Sequence, residues 1–161
     1  GGSTELTWIE KGQRKRSASF PLGTVRMLKQ KVDEGLWAEI NAFLGELREQ
    51  HGQLAGIGTG GNINRLFKEN KNSYGQPLSR ADILKQRERI ASYTFSDRVK
   101  LLRLRPDRAD VIIPAADIFL RIMEAAGIEE VFVPKVGLAD GIIFGLYTKQ
   151  YGRAKYAAVS V

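Results

Sequence analysis

The stretch "GGSTELTWIE", Gly1–Glu10, opens with two glycines, two hydroxyl side chains and a carboxylate, and then becomes apolar. Glycines gather where backbone must approach a ligand closely, and successive N–H groups in such a turn can hold an anion. From Leu6 onward "LTWIE" alternates toward a strand, "KGQRKR" reads as a polar turn and "SASFPLG" as a returning strand. The opening therefore predicts a β-hairpin over residues 3–21 that begins in an anion-binding loop.

Composition limits the class of protein. The chain has 161 residues and is 43% hydrophobic, which suits one globular domain. Its net charge of +7 points to anionic partners, although a merely soluble basic surface explains the charge equally well. Cysteine is absent, which excludes disulfides and thiolate zinc sites, and a single histidine, His51, cannot form a multi-histidine metal centre. We interpret His51 as a solvated residue near a helix end.

No apolar run approaches the roughly 20 residues that a membrane span needs, so we expect no membrane partner and a cytoplasmic location. Nucleic-acid binding rests on charge alone, because the sequence shows no recognised aromatic or helix-turn-helix module.

Helical and extended patterns alternate along the rest of the chain. Apolar residues at helical spacing predict helices from Thr24 to Gly52, after "GTGGN", within "LSRADILKQRERIASYT", from about Pro114 to Gly127, and in "LADGIIFGLYTKQ". Short strands are expected at "QLAGIG" and "EEVFVPKVG". This order predicts an α/β domain with a mixed sheet and flanking helices. The stretch "GIGTGG" matches a dinucleotide-binding fingerprint formally, but no strand follows to carry the acidic ribose partner.

Two glycine-rich loops are candidates for phosphate binding: "GGSTE" at the start and "GTGGN" at residues 58–62. The second loop opens a helix, whose amino end favours an anion. Ser3 and Thr4 could donate to a phosphoryl oxygen, or could simply cap the turn. Glu5 would repel a phosphate unless it binds Mg²⁺ or orients a water, and otherwise it is an outward-facing strand residue.

The motifs "GGSTEL", "GIGTGGNINRLFKE", "RPDRADVIIPA" and "VPKVGLADGIIFGLY" resemble, in order and spacing, those of the exopolyphosphatase/guanosine pentaphosphate phosphatase (Ppx/GppA) family. That family belongs to the sugar kinase, Hsp70 and actin superfamily. The resemblance extends from Gly1 to about Tyr147 and leaves residues 148–161 as a tail. It implies an actin-like (ribonuclease H-like) fold and the second domain of a two-domain enzyme whose active site lies in the cleft.

The resemblance also implies roles for individual residues. Glu5 would help to hold Mg²⁺ or the attacking water. A phosphate would contact Gly1, Gly2, Ser3 and Thr4. The superfamily's kinases bind adenosine at the loop that corresponds to Gly58, Thr59, Gly60, Gly61 and Asn62. Many family members have a Gly-Ser-Gly-Thr order there, whereas this chain has Gly-Thr-Gly-Gly-Asn. This difference weakens the case for a nucleotide contact.

In the family an Asp, a hydrophobic residue and a further glycine precede the first motif, and a preceding domain supplies another phosphate loop and a glutamate that activates water. We therefore expect a fragment that is inactive alone. The resemblance implies release of orthophosphate from polyphosphate by the complete protein. Hydrolysis of guanosine pentaphosphate and a non-catalytic binding or assembly module remain alternatives. Gly137, Gly141 and Gly145 recur every four residues and would lie along one helical face. The resemblance implies that this helix crosses a helix of the first domain at the hinge, with close packing within this domain as the alternative. An uncovered hinge face would be apolar enough to support a homodimer.

Overall fold

The computed structural model describes residues 2–70 and 75–152. Gly1, a predicted phosphate contact, and residues 153–161 of the tail lie outside the described residues. The elements run in the order β1 Thr4–Glu10, β2 Gln13–Phe20, α1 Thr24–Leu28, α2 Glu34–His51, β3 Gly56–Ile57, α3 Gly61–Glu69, β4 Leu78–Ser79, α4 Arg80–Ala91, α5 Phe95–Lys100, α6 Pro106–Ala109, α7 Ile112–Ala126, β5 Glu130–Phe132 and α8 Leu138–Tyr151.

The predicted hairpin is confirmed: β1 and β2 pair antiparallel, with Glu5 opposite Ser19. Its turn is shorter than the sequence suggested. Lys11 and Gly12 both have positive φ, 50° and 74°, which suits the two central residues of a tight hairpin turn. The basic run after the turn therefore belongs to β2, where its side chains are exposed on both faces of the strand.

The remaining described strands form a separate three-stranded sheet in the order β3-β5-β4. β3 runs parallel to β5, and β4 runs antiparallel to it, so the predicted mixed sheet is confirmed. Strand β4 was not predicted. Helices flank both sheets, and α7 packs against α1, α2, α3 and α4.

Two apolar clusters form the core, and α7 contributes to both. The first joins α3, α4, α7 and β5, with buried side chains such as Phe67, Ile90 and Ile112. The second joins the end of β2 to α2 and α7, with buried side chains such as Trp37 and Ile118. Because α7 lies between the clusters, it fixes the hairpin relative to the three-stranded sheet.

The helix ends follow local sequence rules. The predicted capping box of α4 is present, since Ser79 and Asp82 bind each other's backbone N–H groups. Helix α7 begins two residues before Pro114, because a proline is tolerated in the first turn, and it ends at Gly127 with φ 63°.

His51 lies at the end of α2, as predicted, but its ring is more than a solvated side chain. It stacks on Trp8 with ring centroids 4.7 Å apart, and its Nδ1 lies 4.0 Å from a carboxylate oxygen of Glu10. These contacts fasten the end of α2 to the hairpin.

Helix α8 has no buried residue, and it continues past Tyr147 to Tyr151. Open space surrounds the positions where Cβ atoms would stand at Gly141 and Gly145. Within the described residues, no helix combines the length and the apolar character that crossing a bilayer would need.

Candidate phosphate-binding site

The structure brings the two glycine-rich loops to the walls of one open hollow of about 370 Å³. Gly2, Ser3 and Glu5 line it from the first loop, and residues 59–62 line it from the second. The hairpin start and the amino end of α3 therefore face a common space, although they are far apart in the sequence.

Glu5 is exposed at the second position of β1, and hydroxyl groups orient it. Ser3 Oγ donates to Glu5 Oε1 at 2.6 Å, and Ser19 Oγ donates to the same oxygen at 3.2 Å. Ser19 reaches it because the two residues stand opposite each other in the hairpin. Within the described part of the chain, Oε2 accepts no hydrogen bond, so one oxygen remains for a ligand.

Thr4 has a structural contact in this arrangement. Its Oγ1 donates to the carbonyl oxygen of Leu22 at 2.7 Å, which ties β1 to the chain after β2. Thr4 does not line the hollow, whereas its neighbours Ser3 and Glu5 do.

The glycines of the second loop have two roles: Gly58 packs in the interior, whereas Gly60 and Gly61 line the hollow. The N–H of Gly58 donates to the carbonyl oxygen of Phe132 at 2.8 Å, so the sheet uses this amide. A Cβ at Gly58 would stand 3.1 Å from Ile63 and 3.3 Å from Phe119, which explains a glycine at this buried position. Gly60 has φ 114°, a conformation that L side chains rarely adopt, and Gly61 begins α3.

No side chain caps the amino end of α3. The first N–H groups of a helix have no partner within it, and the helix dipole makes this end positive. Gly61, Asn62 and Ile63 form the first turn and line the hollow. These donors therefore face the same hollow as Glu5.

Arg108 is a candidate anion-binding residue that the sequence did not indicate. Its guanidinium packs so closely on Gly61 that a Cβ there would overlap both terminal nitrogens. Arg108 is half-buried, and within the described residues its side chain makes no ion pair or hydrogen bond. The Arg108 guanidinium and the amino end of α3 are both positive and lie side by side, so they repel each other. An anion bound between them would relieve this repulsion. Arg108 lies in "RPDRADVIIPA", a motif that indicated the family but gave no role to this arginine.

Thr24 also lines the hollow and is 95% buried, because its relative exposure is 5%. Its Oγ1 is fully covered and has no hydrogen-bond partner in the structure as described. A buried hydroxyl without a partner is costly, so this group too is a candidate for a ligand or an ordered water.

Arg14, Arg16 and Lys68 are basic residues that could follow a long anion, and none of them lines the hollow. Arg14 is opposite Ile9 in the hairpin, four positions along β1 from Glu5, or about 14 Å at strand spacing. Arg16 bridges to Glu46 at 2.6 Å, and Lys68 lies in the last turn of α3, at the end away from the hollow.

A metal would find few protein ligands here. The described residues contain no group of three or more His, Asp or Glu side chains able to hold an ion. Mg²⁺ commonly binds through one or two carboxylates, with waters and substrate phosphates completing the octahedron. The free oxygen of Glu5 fits that pattern when a phosphate is present.

Comparison with known proteins decides the family. The sequence profile of the Ppx/GppA phosphatase family matches residues 1–150. The chain belongs to this family. The Aquifex aeolicus member of the Ppx/GppA family has a similar structure, with a TM-score of 0.73 and 25% identity over 94% of this chain. An exopolyphosphatase from Cytophaga hutchinsonii shares the fold, with a TM-score of 0.70 and 17% identity over 92% of this chain.

These similarities confirm the predicted actin-like α/β fold. This Ppx/GppA chain spans about half of each of those solved chains, 55% in both cases. No curated protein matches its sequence.

Proposed function

We propose that the chain is the phosphate-binding half of an exopolyphosphatase, which hydrolyses the terminal phosphoanhydride bond of polyphosphate and releases orthophosphate. The observation that carries this proposal is the meeting of the two glycine-rich loops and Glu5 around one hollow, with the Arg108 guanidinium packed against Gly61. Membership of a phosphatase family supports the reaction class.

The positive groups and the carboxylate of the site have different roles. The amino end of α3 and the Arg108 guanidinium neutralise phosphoryl oxygens, because both are positive and neither has a side-chain partner among the described residues. Ser3 lines the same hollow and orients Glu5 through its hydroxyl. Glu5 holds Mg²⁺ or orients the attacking water, and its serine contacts keep it in one place. When bound, Mg²⁺ offsets the negative charge that develops on the transferred phosphoryl group.

A preceding domain of the same polypeptide supplies the remaining groups in this proposal, including the general base. Since the base is outside this chain, the purified 161-residue chain should release orthophosphate from polyphosphate with Mg²⁺ no faster than its Glu5→Gln variant. Release well above that variant would refute this division of labour.

The substrate is testable through binding. The two loops line the hollow largely with backbone and small side chains, so we expect tripolyphosphate to bind without help from a nucleoside. Isothermal titration with tripolyphosphate and with guanosine pentaphosphate compares the two directly. A much higher affinity for the guanosine compound would favour the alarmone phosphohydrolase instead.

A further inference from the structure

Thr24 is a buried polar side chain whose hydroxyl is unpaired. It is the first residue of α1, it lines the phosphate hollow, and its relative exposure is 5%. Its Oγ1 is fully covered and has no hydrogen-bond partner among the described residues. Because solvent does not reach the oxygen either, the free protein bears the cost of an unsatisfied hydroxyl. Such a group gains free energy from any ligand that accepts its hydrogen bond.

Two hydrogen bonds hold the segment around Thr24 against the first glycine-rich loop. Two residues before Thr24, the carbonyl oxygen of Leu22 accepts from Thr4 Oγ1 at 2.7 Å. Two residues after it, Arg26 Nε donates to the carbonyl oxygen of Gly2 at 3.0 Å. Thr24 therefore lies between two attachments to this loop, and a movement away from the hollow would break one of them.

Much of the wall of the hollow is apolar, and this part is formed by Leu22, Ile63, Ala115, Ile118 and Phe119. These side chains contain no atom that accepts a hydrogen bond, so they leave the Thr24 hydroxyl without a partner. An occupant rich in acceptor atoms would supply one. Phosphoryl oxygens are such acceptors, and the uncapped amino end of α3, which opens on the same hollow, favours an anion.

We propose that Thr24 is a phosphate ligand, whose hydroxyl donates to a non-bridging oxygen of a phosphate chain bound between the two loops. This inference rests on the proposed function and adds a residue to its site. Threonine in a helix occupies two χ1 rotamers, so rotation about the Cα–Cβ bond exchanges its hydroxyl and its methyl group. The hydroxyl is covered in the free protein, and a bound anion draws it into the hollow. Because the hydroxyl is unpaired beforehand, binding forms a charge-assisted hydrogen bond without breaking another.

Variants that remove only the hydroxyl separate this role from a role in packing. Thr24→Val should raise the urea midpoint of the 161-residue chain, because it removes a buried polar group that has no partner. The same variant should bind tripolyphosphate in the presence of Mg²⁺ about 10-fold more weakly or worse, as titration calorimetry would show. Thr24→Ser keeps the hydroxyl and should lower the urea midpoint through its lost methyl group, yet bind within about 3-fold of the wild type.

Thr7→Val is the matched control. Thr7 is exposed on β1, its hydroxyl contacts Ser17 Oγ at 3.2 Å, and it does not line the hollow, so tripolyphosphate binding should stay unchanged. Equal affinities of Thr24→Val and the wild type, or equal losses in Thr24→Val and Thr24→Ser, would overturn the inference and leave the proposed function standing. A wild-type chain that binds no tripolyphosphate would overturn both.

A measurement on the wild type keeps the test decisive if Thr24→Val fails to fold. Three-bond NMR couplings from the Thr24 methyl carbon to the backbone nitrogen and carbonyl carbon report χ1. We expect the χ1 rotamer to change when tripolyphosphate saturates the chain in the presence of Mg²⁺. The same rotamer with and without tripolyphosphate would overturn the inference.

Discussion

Glu5 carries a negative charge at the edge of a space otherwise arranged for anions. Ser3 and Ser19 both donate to Oε1, which holds the carboxylate in place without removing its charge. Such a group repels phosphate unless a cation stands between them. We therefore expect this one side chain to make phosphate binding depend on a divalent ion.

The Glu5→Gln variant tests that claim in the isolated chain. Without Mg²⁺ it should bind tripolyphosphate about 3- to 10-fold more tightly than the wild type, because one repulsive charge is removed. The stimulation of binding by Mg²⁺ should largely disappear. Titration calorimetry with and without Mg²⁺ measures both effects, and Glu10→Gln, at the far end of β1, is the control. Weaker binding by Glu5→Gln without Mg²⁺ would contradict this role.

Variants of Gly61 and Arg108 test whether the second loop binds phosphate. A methyl group at Gly61 must displace the guanidinium, which is the flexible end of a long side chain. Gly61→Ala should therefore change the free energy of unfolding by less than about 1 kcal/mol, yet weaken tripolyphosphate binding by about 10-fold or more. Arg108→Ala should weaken binding by a similar factor, and the double variant should be little worse than either.

The control for this pair is Gly45→Ala, in the middle of α2, where a Cβ meets open space. It should stabilise the chain by about 0.5–1 kcal/mol and leave binding unchanged. Additive losses in the double variant would show that Gly61 and Arg108 act separately.

At the scale of elements, the capping box of α4 makes a local contribution that can be measured. Ser79 Oγ accepts from Asp82 N at 3.0 Å and donates to its carboxylate at 2.6 Å. Ser79→Ala should lower the free energy of unfolding by about 1 kcal/mol, as urea denaturation would show. Ser92→Ala at the other end of the helix should cost less, because Ser92 only donates to Arg89 O in an exposed turn. Equal losses would show that the box adds nothing beyond an ordinary hydroxyl contact.

The sequence predicted those elements whose pattern is long enough to repeat. The hairpin and helices α2, α3, α7 and α8 all have such a period or a glycine at their ends. Strand β4 has two residues, and only its pairing with β5 makes it a strand. The run 13–16 looked like a turn because it is basic, but the positive φ of Lys11 and Gly12 completes the turn before it.

Only part of the candidate site could likewise be predicted from the sequence. The glycine-rich loops can be recognised in the sequence because glycines cluster where the backbone turns tightly or approaches a ligand closely. Arg108 looks like any surface arginine until the fold places it on Gly61. The hydrogen bonds that Thr4 and the Gly58 amide make to distant carbonyl groups are likewise invisible in their own neighbourhoods.

At the scale of the whole molecule, the apolar surface is unevenly distributed. Helix α8 has no buried residue, and Leu138, Ile143 and Leu146 are each more than 60% exposed. A contiguous apolar surface of this kind commonly marks a contact with another protein surface. We expect α8 to pack on a further domain when one is present, and to pair with a second copy of the chain when none is.

Sedimentation velocity over a range of concentrations tests this expectation. The wild-type chain should form dimers as the concentration rises, and Ile143→Lys should remain monomeric under the same conditions. The matched control, Leu84→Lys, changes an exposed apolar residue on α4 and should still dimerise. A wild-type chain that stays monomeric at high concentration would argue against association through α8.

We expect the two glycine-rich loops, which are distant in the sequence, to form a single anion site. An NMR titration of the 15N-labelled chain with tripolyphosphate and Mg²⁺ tests it most directly, because each loop reports through its own amides. The amides of Ser3 and Glu5 and those of residues 59–62 should shift together and fit one dissociation constant. Shifts confined to one loop, or different constants for the two loops, would contradict it.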